Sequence, residues 1–359
     1  MIAIIADDFS GAAELAGIAA ARGLKAEVQT VFDPTSDAEV IAVDTDTRLK
    51  SENDAVRIVS EITRQIMAAK PVWIYKKTDS VMRGHLRAEI EAILNTAGLS
   101  ECVLIPANPS KGRVIRDGCY FIEGMPLHEA VFANDPDYPR RTDNVRDLLG
   151  DCARIHTPDA SVPEDLPRDL SSHTLAAGAA DFFAALLGAG MPTRTIAPTS
   201  RSLILCGSLA AWETGRAAQM KKLGFEVRTL EEPVSPSIWQ TTSKLMLAIG
   251  ERENEHSAKL TEKLIEKALP LLSEPANLRI GLEGGATAIA FIRCMGWTRF
   301  EVIPEGHTGV GSLRPPDGSV LCVKPGSYLW PAGIWPSTQE ILTPITKSPS
   351  ICMPSILRS

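Results

Sequence analysis

What most limits the folds open to this chain is a repeated alternation: short apolar runs, each ending in a polar loop, take turns with segments of helical spacing. IAIIA (2–6) leads through ADDFS into the small-residue stretch GAAELAGIAAARG, and VIAVDT (40–45) precedes ENDAVRIVSEITRQIMAA. VWIYKKT (72–78) precedes HLRAEIEAILNTAG, and CVLIPA (102–107) closes the series. Apolar runs this short suit strands buried on both faces, and the segments between them carry apolar residues near a 3.6 period. Strands separated by helices of about 10 to 18 residues predict a parallel sheet with crossover helices. In such sheets ligands bind beyond the carboxyl ends of the strands. ADDFSG, DTDTR, KKTDS and PANPSKGR all fall there, so four polar loops are expected to converge on one edge.

The alternation then breaks. HTPDASVPEDLPRDLSSH (156–173) reads as irregular, LAAGAADFFAALLGAG (175–190) as a small-residue helix, and MPTRTIAPTSR (191–201) as a hinge. A second series follows: SLILCGS as strand and turn, LAAWETGRAAQMKKLG as helix, SKLMLAIG as strand, HSAKLTEKLIEKALPLL as helix, and LRIGLEGGATAIAFIRCMG as strand, glycine turn and helix. The expected fold class is therefore α/β, with two α/β domains of mainly parallel sheet, at 1–200 and 201–335. Residues 336–359, rich in Pro and Ser without a periodic face, are expected to be an irregular tail.

With 359 residues, 44% of them hydrophobic, the chain can bury two cores. No apolar run approaches the roughly 18 to 20 residues of a membrane span, and MIAIIA stops at Asp7 and Asp8, which argues against a signal peptide. Seven cysteines stand singly without a CxxC pair, which argues against a disulfide framework or structural zinc. A cytoplasmic protein without a membrane partner is expected. The net charge of -7 argues against a nucleic-acid partner, whose phosphates call for a basic footprint.

Three stretches carry chemistry. In ADDFSGAAE, Asp7 and Asp8 end a strand where carboxylates could hold a hydroxyl, act as a base or ligate a metal; a helix cap would use only one of them. KKTDSVMRGH packs Lys76, Lys77, Asp79, Ser80 and Arg83 around a turn at Gly84. Arg48 of DTDTR and Arg113 of PANPSKGR add cations, and such a set suits a small anion, since arginine grips a planar carboxylate with two parallel hydrogen bonds. The bland alternative is a solvated, salt-bridged strand end. In the second half LEGGATA, CGSLA and VKPGSYLWP place glycines at strand ends, with Ser208 and Lys324 beside them. Such turns let a phosphate approach backbone N–H groups, although neither a Walker A motif nor a GxGxxG fingerprint is present.

Taken in order, ADDFSGAAE, DTDTR, YKKTDSVMRG, PANPSKGR, GGATA and KPGSY resemble the four-carbon acid sugar kinase family over roughly residues 1–335. The resemblance implies an N-terminal substrate domain, a C-terminal nucleotide domain and an active-site cleft between them. It further implies phosphorylation of a small sugar acid, such as threonate or erythronate, by ATP with Mg²⁺. Asp8, Lys77 and Arg83 fall at catalytic positions, and Asp7, Arg48, Lys76, Asp79, Ser80 and Arg113 on the substrate side. Ser208, Gly284, Gly285, Ala286, Thr287, Lys324 and Gly326 fall on the nucleotide side; no metal ligand is assigned. Ala286 stands where the family carries an acid, and Val81 where it carries a hydroxyl. A sugar-phosphate phosphatase and a sugar-acid sensor without turnover remain as alternatives. The number of subunits is not fixed by the sequence; a homodimer is one option.

Overall fold

The computed structural model describes residues 1–335 apart from 136–137, 191–196, 214, 251–256, 307–308 and 327. The expected tail and most of the expected hinge lie outside the described residues. The first series comprises β1 (Ile2–Ala6), α1 (Phe9–Ala20), β2 (Ala26–Gln29), β3 (Val40–Asp44), α2 (Glu52–Ala68), β4 (Trp73–Lys77), α3 (Leu86–Ala97) and β5 (Glu101–Ile105). A small antiparallel sheet follows, β6 (Arg113–Arg116), β7 (Cys119–Ile122) and β8 (Met125–Pro126), then α4 (Val145–Leu149), β9 (Ile155–His156), β10 (Thr174–Gly178) and α5 (Ala180–Leu187). The second series is β11 (Arg201–Cys206), α6 (Leu209–Glu213), α7 (Arg216–Lys222), β12 (Glu226–Thr229), β13 (Lys244–Ala248), α8 (Ser257–Ala268), β14 (Leu278–Glu283) and α9 (Gly285–Met295). It closes with β15 (Arg299–Val302), β16 (Gly311–Arg314) and β17 (Val320–Lys324).

The α/β class with mainly parallel strands is as expected. Both parallel groups belong to one 14-stranded sheet, ordered β12-β13-β11-β14-β17-β16-β15-β2-β3-β1-β4-β10-β5-β9. Antiparallel pairings of β17 with β16, β16 with β15 and β15 with β2 join them, so the two groups run in opposite senses. Register aligns the loops. Ala6 lies level with Asp44 and with Lys77, and Glu283 lies level with Cys206 and with Lys324, so within each group the chain leaves the sheet at one height.

Helix α1 explains how the groups meet. It packs on its own strands and also on α5, α9 and β15 to β17, and it is buried along most of its length. Only small residues allow that approach: a Cβ on Gly311 of β16 would sit 2.5 Å from the Cβ of Ala13. Helix α2 instead buries one stripe, Ala55, Val59, Thr63 and Ile66, behind a Ser51 cap that accepts from the Asp54 N–H at 3.2 Å.

Two expected helices are corrected. LAAGAADFFAALLGAG splits into β10 and α5, because the Leu-Ala-Ala run inserts between β4 and β5 as a parallel strand. Gly178 ends it at φ +155, pressed against the Ile105 carbonyl where a side chain could not fit. LAAWETGRAAQMKKLG breaks into α6 and α7 at Gly215, whose φ of +82 no helix contains. Strands β2, β12, β15, β16 and β17 and the β6–β8 sheet carried no expectation. They are two to five residues long, too short for a side-chain period to stand out in the sequence.

Candidate functional site

Asp7 follows β1, and Asp8 caps α1, its carboxylate accepting from the Gly11 N–H at 3.1 Å and from the Ser10 hydroxyl. The loop after β3 folds back over this strand end: the N–H groups of Thr47 and Arg48 donate to the Asp7 carbonyl, and Asp46 takes a positive φ of 47 to make the turn. Arg48 is thereby aimed inward. Its Nε and Nη2 donate to both oxygens of Asp7 at 2.7 and 3.0 Å, and Nη2 also donates to Asp8 at 2.9 Å.

After β4 the chain wraps around Asp79. That carboxylate accepts from the N–H groups of Val81 and Arg83 and holds the Arg83 guanidinium in a two-point fork at 2.9 Å each. Gly84, at φ +89, passes so close that a Cβ there would lie 3.0 Å from Asp7 Oδ2. Arg113, the first residue of β6, donates to the Ser80 hydroxyl. Asp7, Asp8, Arg48, Asp79, Ser80, Arg83 and Arg113 thus form one connected polar cluster, as their types and positions suggested.

The two lysines part. Lys77 lies beside Glu14 of α1, 3.9 Å away, and donates to the Thr78 carbonyl at 2.7 Å. Lys76, on the alternate side of β4, is sealed under α3 in an ion pair with Glu89 at 2.5 Å, both side chains at most 2% exposed. Adjacent strand residues point to opposite faces, which separates neighbours that looked equivalent in the sequence. Lys76 bears on the cluster through its field alone.

That field is strong. Burial pushes the Asp7 carboxyl up, but Arg48 and Lys76 outweigh it and hold it below the usual carboxylate range. Asp79 is held well below that range against burial by Arg83 and Arg48. Burial also works against Glu14, yet Lys111 and Lys77 keep it low. Asp44 goes the other way: burial, with the charges of Asp46, Asp8 and Asp7, raises it well above the ordinary value, and one of its oxygens has no partner among the described residues.

On the other side, β14 ends at Glu283, and Gly284 turns the chain at φ +100 into α9. The first turn of α9, Gly285, Ala286 and Thr287, presents N–H groups with no acceptor inside the helix. It faces the cluster: a Cβ on Gly285 would lie 3.0 Å from Asp8 Oδ2. Ser208, Gly207 and Gly326 crowd the same turn; a side chain at 207 would strike the Thr287 hydroxyl, and one at 326 the Ser208 hydroxyl. Lys324 lies beneath, fully buried, donating to Glu283 at 2.5 Å, while Arg216 holds the same carboxylate at 2.6 Å and Trp330 its other oxygen at 3.1 Å. Burial brings the Lys324 ammonium down to about 8.

Several contributors were not singled out in the sequence. Glu14 and Lys111 pair at 2.7 Å, and Tyr328 stacks on Lys111 at 4.2 Å, tying the two halves together. Glu14 and Lys111 sat inside quoted motifs, and a lone acid on an Ala-rich helix was the available signal. Phe132, Asp135, Tyr138 and Arg140 come from a loop without periodicity, which left no signal. Asp135 accepts from Arg83 at 3.2 Å, and the Tyr138 hydroxyl donates to the Arg48 carbonyl.

Among the described residues no helix is long and apolar enough to cross a membrane. Residues 2–193 match the family model described as the sugar-binding N-terminal domain. A D-threonate kinase from Bordetella bronchiseptica is 32% identical over 179 residues, 48% of this chain and 44% of that protein. A D-erythronate kinase from Heliobacterium modesticaldum is 33% identical over 154 residues, 41% of this chain and 35% of that protein. Each match thus spans less than half the length of the curated relative. In fold, a solved protein from Salmonella typhimurium LT2 is similar with a TM-score of 0.70 at 17% identity, over 91% of this chain and 96% of that one. The matched span holds Asp7, Asp8, Arg48, Asp79, Ser80, Arg83 and Arg113, the residues of the polar cluster, and the chain belongs to this sugar-binding family, that of the four-carbon acid sugar kinases.

Proposed function

We propose that this chain transfers a phosphoryl group from ATP to a hydroxyl of a small sugar acid, of which threonate and erythronate are the first candidates. The observation that carries the reading is the approach of Gly285 to Asp8, which sets the open N-terminus of α9 against the polar cluster. Phosphoryl transfer asks for positioning and charge neutralisation more than covalent help, and this juxtaposition offers both.

In this reading residues 1–200 receive the acid and residues 201–335 the nucleotide. The first turn of α9, Ser208 and Gly326 fit a phosphate chain: the N–H groups of that turn have no acceptor inside the helix, and glycine lets backbone come close. ATP with Mg²⁺ supplies the phosphoryl group and neutralises its charge. Asp8, held by Arg48 and Ser10, orients the attacking hydroxyl and accepts its proton as the oxygen–phosphorus bond forms and ADP leaves. Lys77, beside Glu14, supports the developing charge. Arg48 and Arg83 are gripped by aspartates of the protein itself, so their first task is to fix Asp7, Asp8 and Asp79. A homodimer is compatible with this reading and not required by it.

The test is a coupled ATP-consumption assay over four- and five-carbon sugar acids, with the product identified by mass. Acid-dependent ADP formation is expected. Release of phosphate from sugar phosphates without ATP would point to a phosphatase instead. Thermal stabilisation by an acid but none by Mg-ATP would point to a sensor.

A further inference from the structure

Most cations at this edge already have protein partners. Arg48 holds Asp7 and Asp8, Arg83 holds Asp79 and Asp135, and Lys77 and Lys111 face Glu14. Arg140 does not. It is only 8% exposed, its guanidinium makes no hydrogen bond or ion pair among the described residues, and its Nε is buried without a partner. Burial lowers its pKa, an opposition between site and charge, yet a guanidinium stays protonated in proteins. An unpaired buried cation is among the costliest groups a fold can keep.

Its surroundings place it in the cluster. The Arg140 N–H donates to the Phe132 carbonyl at 3.3 Å, and the ring of Phe132 lies under Arg83 and Arg113, at 5.8 and 5.6 Å. The guanidinium carbon sits 5.7 Å from the Tyr138 ring, whose hydroxyl is bonded to the Arg48 carbonyl. Asp79, Asp135 and Arg83 all act on its charge. A second anion arriving here would find Arg48 and Arg83 occupied and the fork of Arg140 unoccupied by any described residue.

We propose that Arg140 is the residue that selects for acids at this site: its guanidinium receives the carboxylate of the bound small acid, while Arg48 and Arg83 hold the aspartates that meet its hydroxyls. This rests on the sugar-acid reading above. It places the carboxylate contact outside the cations of the sequence motifs, on a residue of a loop with no motif. It accounts for the cost of the buried charge, because the ligand completes the pair. A neutral polyol of the same size gains nothing from Arg140.

Calorimetric titration with D-erythronate and D-threonate, and with erythritol and threitol as neutral probes, tests this on the whole chain. The parent binds at least one aldonate more tightly than its alditol. Arg140→Met, which keeps the length and removes the donors, lowers aldonate affinity on the order of 10- to 100-fold. It leaves alditol and Mg-ATP binding unchanged, and it raises the melting temperature because an unpaired charge has gone. Arg140→Lys recovers part of the aldonate affinity. Aldonate affinity in Arg140→Met within about twofold of the parent overturns the proposal and leaves the kinase reading standing. A lower melting temperature with equal losses for aldonate, alditol and Mg-ATP also overturns it, marking a structural arginine. A parent chain that binds neither aldonate removes the sugar-acid reading and this inference with it.

Discussion

Replacing Arg48 with methionine puts the electrostatic account of the cluster to its hardest test. The Asp7 side chain is 4% exposed and the Arg48 side chain 16%, and three hydrogen bonds run from this one guanidinium to two carboxylates. Removing one member of such a pair leaves the other charge buried and uncompensated, which costs about 3 to 5 kcal/mol, whereas replacing both members by neutral groups costs far less. Arg48→Met should therefore lose about 3 to 5 kcal/mol at pH 7, and Arg48→Met with Asp7→Asn should recover most of it.

The loss should also depend on pH with a definite sign. In the parent, Arg48 and Lys76 hold Asp7 below its ordinary value, so this group stabilises the fold above that value. Without Arg48, burial dominates and the Asp7 pKa rises; the folded state then retains a proton that the unfolded chain has lost, and stability falls as pH increases from about 4. Urea unfolding of the parent, both single variants and the double at pH 5 and pH 8 gives the cycle. A loss below about 1 kcal/mol, or a double variant no better than Arg48→Met, would mean that the pair is solvated and that the cluster is not the water-excluded site argued for.

Asp44, raised by burial with one oxygen unpartnered among the described residues, behaves in the opposite sense to Asp79: its contribution to stability declines as pH climbs above its ordinary value. Asp44→Asn should flatten that decline, giving a melting temperature above the parent at pH 8 and close to it near pH 4; an unchanged pH profile would show that Asp44 is ionised in the fold. At the glycine turn, Gly207→Ala drives a methyl into the Thr287 hydroxyl and should cost about 1 to 3 kcal/mol. Adding Thr287→Ala removes the hydroxyl and leaves the Cβ at residue 287 at 3.3 Å from the new methyl, so thermal melts should recover most of the loss; an equal or larger loss in the double would refute the turn geometry.

Much of the site was legible because strand ends announce themselves. An apolar run followed at once by charged residues can only place those charges at the edge of a buried sheet, and parallel register brings such edges to one height, as Ala6, Asp44 and Lys77 are here. What each charge does there was not legible. Lys76 and Lys77 are neighbours of one type, yet one is locked under α3 with Glu89 and the other lies beside Glu14 of α1. Arg83 looked like a free fork and is closed by Asp79 four residues earlier in the chain.

By itself, then, the sequence determined the α/β alternation and the set of polar loops, because these depend on periodicity and on residues close together in the chain. Only the tertiary structure decided that β15 and β16 weld the two parallel groups into one sheet, that α9 opens onto Asp8, and that Arg140 is buried without a partner among the described residues. The join of β15 to β2 and the approach of α9 to Asp8 depend on contacts between residues more than two hundred positions apart, and the setting of Arg140 depends on how its loop folds onto Asp79 and Arg83. No local pattern encodes which charge will find its counterpart once the chain has closed.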